Sequence, residues 1–331
     1  MKQLIFHLLK AITFNYFKKR NEKNTLLILM FHQVNDKKTT FYPAMSIKAF
    51  KGLCQFIKKN YVVIHPSEIN SHFSKTDKPA AIISFDDGHY DIIQNALPIL
   101  SELKLPFNIN VDTEILETGK PQDFVRVYNI LNQSEFETYM NSKFMEKPIT
   151  INRLNPITTE NEFTELLSSL SPPEKREITE DIALKAGVKE NSFSKMLTKE
   201  DISSLKKLNV EFGSHSHTHS LLTKIDTGQI HYELSHSKNI LENILKTRIE
   251  ILAYPNGVYN DEIEQIAKGL GYTIFLQTDD KTNKIEPNNN SWNSYKRINQ
   301  YHQTLEEALA HTYGILNPIK KLIISIKKLK G

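Results

Sequence analysis

The sequence predicts an α/β protein built on a parallel sheet, either open or closed as a barrel. Two observations carry this. Short β-rich runs alternate with stretches of helical spacing, and polar clusters far apart in sequence all fall at the carboxyl ends of the predicted strands. At 331 residues, with 39% hydrophobic and 24% charged residues, the chain has ordinary globular composition and enough length for a sizeable core.

Taken in order, the first run is LLILMF (26–31), which ends on His32. YVVI (61–64) and AAIISF (80–85) follow, the latter closing on Asp86 and Asp87. Helical spacing over 91–104 leads to FNINV (107–111). The next stretch, 113–208, is long, polar and mostly helical in pattern, and its part from about 115 to 200 reads as an insertion between two core strands. Within it, SLSPPEKREITEDIALKAG has prolines in its first turn and Gly187 at its stop, the marks of one complete helix. VEFGS (210–214) then runs into His215, His217 and His219, and IEILAY (249–254) into Pro255, Asn256 and Gly257. Helical patterns at 227–247 and 260–270 bracket that strand, and YTIFL (272–276) is the last strand predicted. Beyond it, Trp292 and Tyr295 lie in an expected loop, with Arg297 close by.

The single cysteine, Cys54, excludes an intrachain disulfide framework and a cysteine-based zinc site, and fits a reducing compartment. Net charge is +4, but residues 1–20 and 317–331 each hold five Lys/Arg and no acid. Removing those ten from 42 basic residues leaves 32 against 38 acidic ones, so the body is acidic and nucleic acid is not an expected partner. Both ends read as basic amphipathic helices, packed on the body or attached to an anionic membrane surface. Neither has the ~20 apolar residues of a transmembrane span, and a cleaved signal peptide is poorly supported. The expected organisation is a basic segment 1–24, a catalytic domain 25–300 containing the insertion, and a helical region 301–331.

Three of the 12 histidines fall within five positions, 215–219. Alone, they read as a surface cluster; a metal site needs a further ligand. The adjacent carboxylates of Asp86 and Asp87 supply it, since neighbours at a strand end point in different directions and one can bind metal while the other faces substrate. Asp87 with His215 and His219 makes a set of two imidazoles and one carboxylate with open positions, suited to Zn²⁺ or a similar divalent ion holding a reactive water. The i, i+4 spacing lets His215 and His219 meet one ion from a helical turn. His217 could replace either of them from an extended strand.

SFDDG, HSHTH and AYPNG together resemble the motifs of the polysaccharide deacetylases, the NodB-homology domain of carbohydrate esterase family 4. The resemblance covers about 26–112 and 205–300. It implies a distorted (β/α) barrel and removal of N-acetyl, sometimes O-acetyl, groups from sugars. It also implies Asp86 as general base and Asp87, His215 and His219 as metal ligands. Two positions depart from the family's pattern: Ala253 stands where an arginine often orients the base, and no late LxxH motif supplies an acid histidine. LMFHQV is similar to the N-terminal YHxV of a permuted subgroup in which AYPxG is usual. This makes His32 the candidate acid and Arg297 a stand-in for the missing arginine.

The expected reaction is hydrolysis of an N-acetyl group on an amino sugar of a glycan or lipid-linked saccharide. Metal-bound water attacks the amide, and backbone N–H donors near Tyr254–Gly257 assist the oxyanion. Expected substrate contacts are Tyr254, Pro255, Asn256, Gly257, Trp292 and Arg297. The expected cofactor is Zn²⁺, with Co²⁺, Ni²⁺ or Mn²⁺ as alternatives. A deformylase or O-deacetylase on the same site, or a non-catalytic glycan-binding relative, are the rival readings. The expected location is cytoplasmic and peripheral on the inner membrane, or exported on an uncleaved N-terminal anchor.

Overall fold

A computed structural model describes residues 22–189, 194–286 and 293–314. Both basic amphipathic ends and Trp292 lie outside these residues. Seven parallel strands close into a barrel: β1 (Thr25–Phe31), β3 (Ala80–Phe85), β4 (Phe107–Val111), β7 (Val210–Ser214), β8 (Ile251–Ala253), β9 (Ile274–Thr278) and β11 (Asn293–Asn299). Closure comes from β1, which pairs in parallel with β3 on one side (Leu26↔Ala80 to Phe31↔Phe85) and with β11 on the other. The barrel is distorted, because the short β2 (Val62–Val63) takes the lower part of the β3 edge while β4 pairs only at Ser84↔Asn108 and Phe85↔Ile109. A further short strand, β10 (Asn283–Lys284), runs antiparallel along the start of β1.

Helices join these strands. The first, α1 (Ile47–Asn60), starts where the Ser46 hydroxyl accepts the Ala49 N–H at 3.2 Å, and it buries Ala49, Phe50, Leu53, Cys54 and Ile57 along one stripe. α2 (Ile69–Lys75) follows β2, and α3 (Leu97–Leu103) follows β3 after a π-helical turn at Ile92–Ala96. α9 (Thr227–Leu245) and α10 (Asp261–Gly269) start at side-chain caps from Asp226 and Asn260, and α11 (Leu305–Thr312) at Thr304.

Side-chain parity divides the core. Leu27, Leu29, Ala81, Ile83, Ile109, Leu252 and Phe275 pack outward under the helices, while Leu26, Ile28, Ala80, Ile82, Ile251, Ala253, Ile274, Leu276 and Tyr295 form a second cluster, the barrel interior. Moving up each strand in steps of two, the inward positions turn polar. β3 reads Ala80, Ile82, Ser84, Asp86; β1 reads Leu26, Ile28, Met30, His32; β11 reads Tyr295, Arg297. The lower barrel is an apolar plug and the upper rim is a polar site.

The span between β4 and β7 holds α4 (Glu114–Thr118), α5 (Asp123–Gln133), a two-stranded hairpin of β5 (Thr138–Tyr139) and β6 (Ile149–Thr150), α6 (Pro156–Ser168), α7 (Pro172–Ala186) and α8 (Lys199–Leu205). Helix α7 begins at a Ser171–Glu174 capping box and stops at Gly187 with φ 65°, as its proline and glycine positions predict. The region has its own core around Val127, Ile130, Phe163, Ile178 and Ile182, which also takes in Phe41 from the loop after β1.

Two sequence expectations fail here. The stretch NSYKRIN is barrel strand β11, and Tyr295, expected in a loop, pairs with Leu276 inside the barrel at 7% exposure. Its mixture of polar and apolar residues carries no continuous apolar run, because inward Arg297 belongs to the polar rim and Ser294 and Lys296 on its other face are only half-buried. His215 and His219 are also not on a helical turn. They flank an irregular loop in which Ser216 (φ 66°) and His219 (φ 55°) take left-handed backbone.

Candidate active site

The rim pocket is small, about 70 Å³, and is lined by His32, Asp86, Asp87, His215, His219 and Arg297, together with Tyr42, Phe124, Tyr254, Asn256 and Gly257. Room for a few heavy atoms suits an acyl group and a water; a sugar ring must lie outside.

Asp86 continues the inward row of β3. Its Oδ1 accepts from Arg297 NH1 at 2.8 Å and from Asn110 Nδ2 at 2.7 Å. Asn110 sits on β4 opposite Gly213 of β7, where any Cβ would collide with the Asn110 side chain and lie 2.8 Å from Ile251 Cγ2. The glycine makes room for the amide that holds the acid. Burial by itself raises the pKa of Asp86. The Arg297 guanidinium, then His215, outweigh it and hold the carboxyl well below the usual carboxylate range.

One residue later, Asp87 adopts φ 69°, which redirects its side chain from the outward position that strand parity would give it. Its Oδ1 lies 3.5 Å from His215 Nε2 and 3.4 Å from His219 Nε2, and its Oδ2 accepts from the Tyr42 hydroxyl. His215 Nδ1 is 2.8 Å from the Ala253 carbonyl, so Nδ1 carries the proton and Nε2 presents a lone pair. Burial lowers the pKa of His219 to about 4, so its ring is neutral at neutral pH. The buried Asp87 Oδ1 has no hydrogen-bond partner among the described residues. Two imidazole nitrogens and a carboxylate oxygen therefore converge, their ligand atoms all within 4.8 Å of one another. Converging lone pairs repel unless a cation lies between them, so these residues fit a divalent ion of the zinc class.

The loop after β8 turns at Asn256 (φ 55°) and Gly257 (φ 71°); a Cβ on Gly257 would stand 2.5 Å from the Thr278 nitrogen. The expectation of several oxyanion donors here needs correction. Tyr254 N–H donates to Leu276 O and Gly257 N–H to Tyr254 O, and Pro255 has none, which leaves the Asn256 N–H. Pro255 is buried and does not line the pocket. His217 does not stand in for either neighbour: its Nε2 faces Glu117 Oε2 at 3.8 Å, away from Asp87.

Sequence reasoning missed Tyr42, Phe124 and Gln122. Tyr42 sits in the loop after β1, its backbone N–H held by Glu160 at 2.8 Å, and Phe124 packs on His219 at 4.7 Å between ring centroids. Gln122 donates to the Asp87 carbonyl at 3.0 Å and to Asp112 at 2.6 Å. All three depend on the region between β4 and β7, whose docking no local pattern encodes.

Residues 157–275 match the family model described as polysaccharide deacetylase; the match takes in the histidine loop and AYPNG but not Asp86 and Asp87. No curated protein matches the chain. Among solved structures, the Streptococcus pyogenes deacetylase PplD in complex with acetate aligns with TM-score 0.58 and 19% identity, covering 88% of this chain and 99% of that one. The Bacillus cereus polysaccharide deacetylase BC0361 aligns at 0.55 and 18%, covering 88% and 69%, and IcaB from Ammonifex degensii at 0.55 and 14%, covering 88% and 97%. At these identities the structural likeness speaks for the fold. Together with the family match across the histidine loop, it shows a NodB-type (β/α) barrel with a polysaccharide deacetylase-like segment at residues 157–275.

Proposed function

We propose that the protein is a metal-dependent N-deacetylase of amino sugars in a glycan or lipid-linked saccharide. The observation that carries this reading is the convergence of Asp86, Asp87, His215 and His219 on one small pocket, with Asp87 Oδ1 buried and unpaired. Asp87, His215 and His219 would hold the ion, Zn²⁺ before Co²⁺, Ni²⁺ or Mn²⁺. When bound there, a divalent ion polarises the acyl carbonyl and acidifies water.

The remaining work falls to side chains. Arg297 and Asn110 occupy Asp86 Oδ1, which leaves Oδ2, on the His215 side at 3.8 Å, to accept the proton of the attacking water. As the C–O bond forms, the Asn256 N–H is the backbone donor available to the oxyanion. His32, across the pocket, would give a proton to the departing amine as the C–N bond breaks. The Tyr254 ring, expected to contact substrate, is instead buried in the outward core, stacked on Tyr259 at 4.8 Å and Phe275 at 6.0 Å between centroids, so its hydroxyl is not offered to the pocket.

Parallel incubations with N-acetylglucosamine and N-formylglucosamine oligomers, with acetate and formate both quantified, test this reading. Acetate release is expected, and Asp86→Asn should lower kcat by roughly 10²–10⁴-fold while leaving the metal bound. Formate from the N-formylated oligomers without acetate from the N-acetylated ones would indicate a deformylase. Release of neither acid, or wild-type turnover in Asp86→Asn, would overturn the proposal.

The proposed location is the inner membrane surface, on the strength of the basic ends in the sequence; no described helix is long and apolar enough to cross a membrane. Flotation with anionic liposomes, using the full chain and one lacking residues 1–20 and 317–331, should carry only the full chain upward. Equal flotation of both would end the idea.

A further inference from the structure

We propose that Glu117, His217 and His236 form a second site for a divalent transition-metal ion, separate from the pocket and on the outer side of the same histidine loop. The loop turns His215 and His219 inward and His217 the other way. There the ligand atoms of Glu117, His217 and His236 all lie within 4.8 Å of one another, the same donor set as in the pocket.

The site is prepared by contacts that need no ion. His217 is buried, its Nδ1 lies 2.9 Å from the Thr113 hydroxyl and its Nε2 is turned toward Glu117; with the hydroxyl accepting from Nδ1–H, Nε2 presents its lone pair to an ion. Its backbone N–H donates to the buried Glu233 at 2.9 Å. Glu114 N–H donates to the His217 carbonyl at 2.9 Å, which ties the start of α4 to the loop. His236 of α9 stands perpendicular to His217, at 4.5 Å between centroids and 89°, and is backed by Tyr232 stacked at 4.9 Å.

Zinc-class bonds of about 2.0–2.2 Å need ligand atoms roughly 3.3 Å apart, so the set must close by about an ångström. Glu117 can supply that movement, since its carboxylate is exposed at the end of a five-residue helix. Two imidazoles with one carboxylate select Zn²⁺, Co²⁺ or Ni²⁺ over Mg²⁺ or Ca²⁺. An ion here clamps α4, the histidine loop and α9 together, with its remaining position open to water.

The test is ion stoichiometry and calorimetric titration with ZnCl₂ on the full chain, purified without a polyhistidine tag. Saturated wild-type protein should bind one ion more than His236→Ala. The double variant Asp87→Ala, His219→Ala should keep one ion and lose it when His236→Ala is added. Thr113→Val should weaken the retained site roughly 10–100-fold. Equal stoichiometry in wild type and His236→Ala, or no ion in a folded Asp87→Ala, His219→Ala protein, overturns the second site. Loss on His236→Ala without loss on Asp87→Ala, His219→Ala would instead keep the second site and refute the metal centre of the pocket.

Discussion

Replacing Arg297 by Met tests how the acid at the centre of the pocket is held. Arg297 and Asp86 are both about 1% exposed in their side chains and meet at 2.8 Å. Removing one partner of a buried ion pair costs about 3–5 kcal/mol, because the other charge is left behind. Asn110 still donates to Asp86, so the low end applies, and about 3 kcal/mol is a factor of roughly 150 in the folding equilibrium. The effect also has a sign in pH. In the wild type, Asp86 lies below its unfolded value, so its stabilisation is present above pH ~4 and is lost as pH falls through the depressed folded value. Without Arg297, burial dominates and the carboxyl is raised, so Asp86 takes up a proton in mild acid and no longer needs a cation. The gap between wild type and Arg297→Met should therefore narrow as pH falls from 7 toward 4. Urea unfolding with a chelator present, which removes ion binding from the balance, measures this. In an Asp86→Asn background, Arg297→Met should cost far less, giving a coupling of about 2 kcal/mol. Arg297→Lys serves where the Met variant does not fold, with a smaller loss of the same pH dependence. A gap below about 0.5 kcal/mol at pH 7 with unchanged turnover would refute the reasoning.

The Tyr42 hydroxyl is kept protonated by burial and then by Asp87, so it donates to the carboxylate that would bind metal. Tyr42→Phe should weaken Zn²⁺ in the pocket by roughly 10–100-fold in a chelator-competition assay; unchanged affinity would remove Tyr42 from the site's support. Burial raises the pKa of Asp91 to about 6, although its Oδ2 accepts from Val34 N–H at 3.0 Å and Asn35 Nδ2 at 2.8 Å. With the folded value above the unfolded one, its contribution is full below pH ~4 and is lost as pH rises through 6, a loss of about 3 kcal/mol. Asp91→Asn does not titrate, so it should gain on the wild type by about that amount between pH 4 and 7. A difference between the two proteins that does not vary with pH would contradict this.

The sequence by itself determined six of the seven barrel strands and the residues at their upper ends. Strand alternation, strand-end carboxylates and closely spaced histidines are local patterns, each set by side-chain periodicity and by the chemistry of a few neighbouring groups. It also singled out His32, which lines the same pocket as the acid, and Arg297, which meets the acid directly, the latter through a resemblance and a missing arginine rather than any strand pattern. The strand that carries Arg297 could not be read, because polar residues fall on both its faces, Arg297 inside and Ser294 and Lys296 outside, and it is made a strand by pairing with β9 and with β1 at the far end of the chain. Tertiary structure alone decided which way each histidine points. His215 and His219 face Asp87, while His217, two residues from either, faces Glu117, because left-handed backbone at Ser216 and His219 breaks the simple alternation. It alone decided that Tyr42 and Phe124 cover the pocket, since both are positioned by a region with its own core whose docking rests on long-range contacts such as Tyr42 with Glu160. Local periodicity sets which face a residue takes within its element; only closure of the barrel sets which residues of different elements share a site.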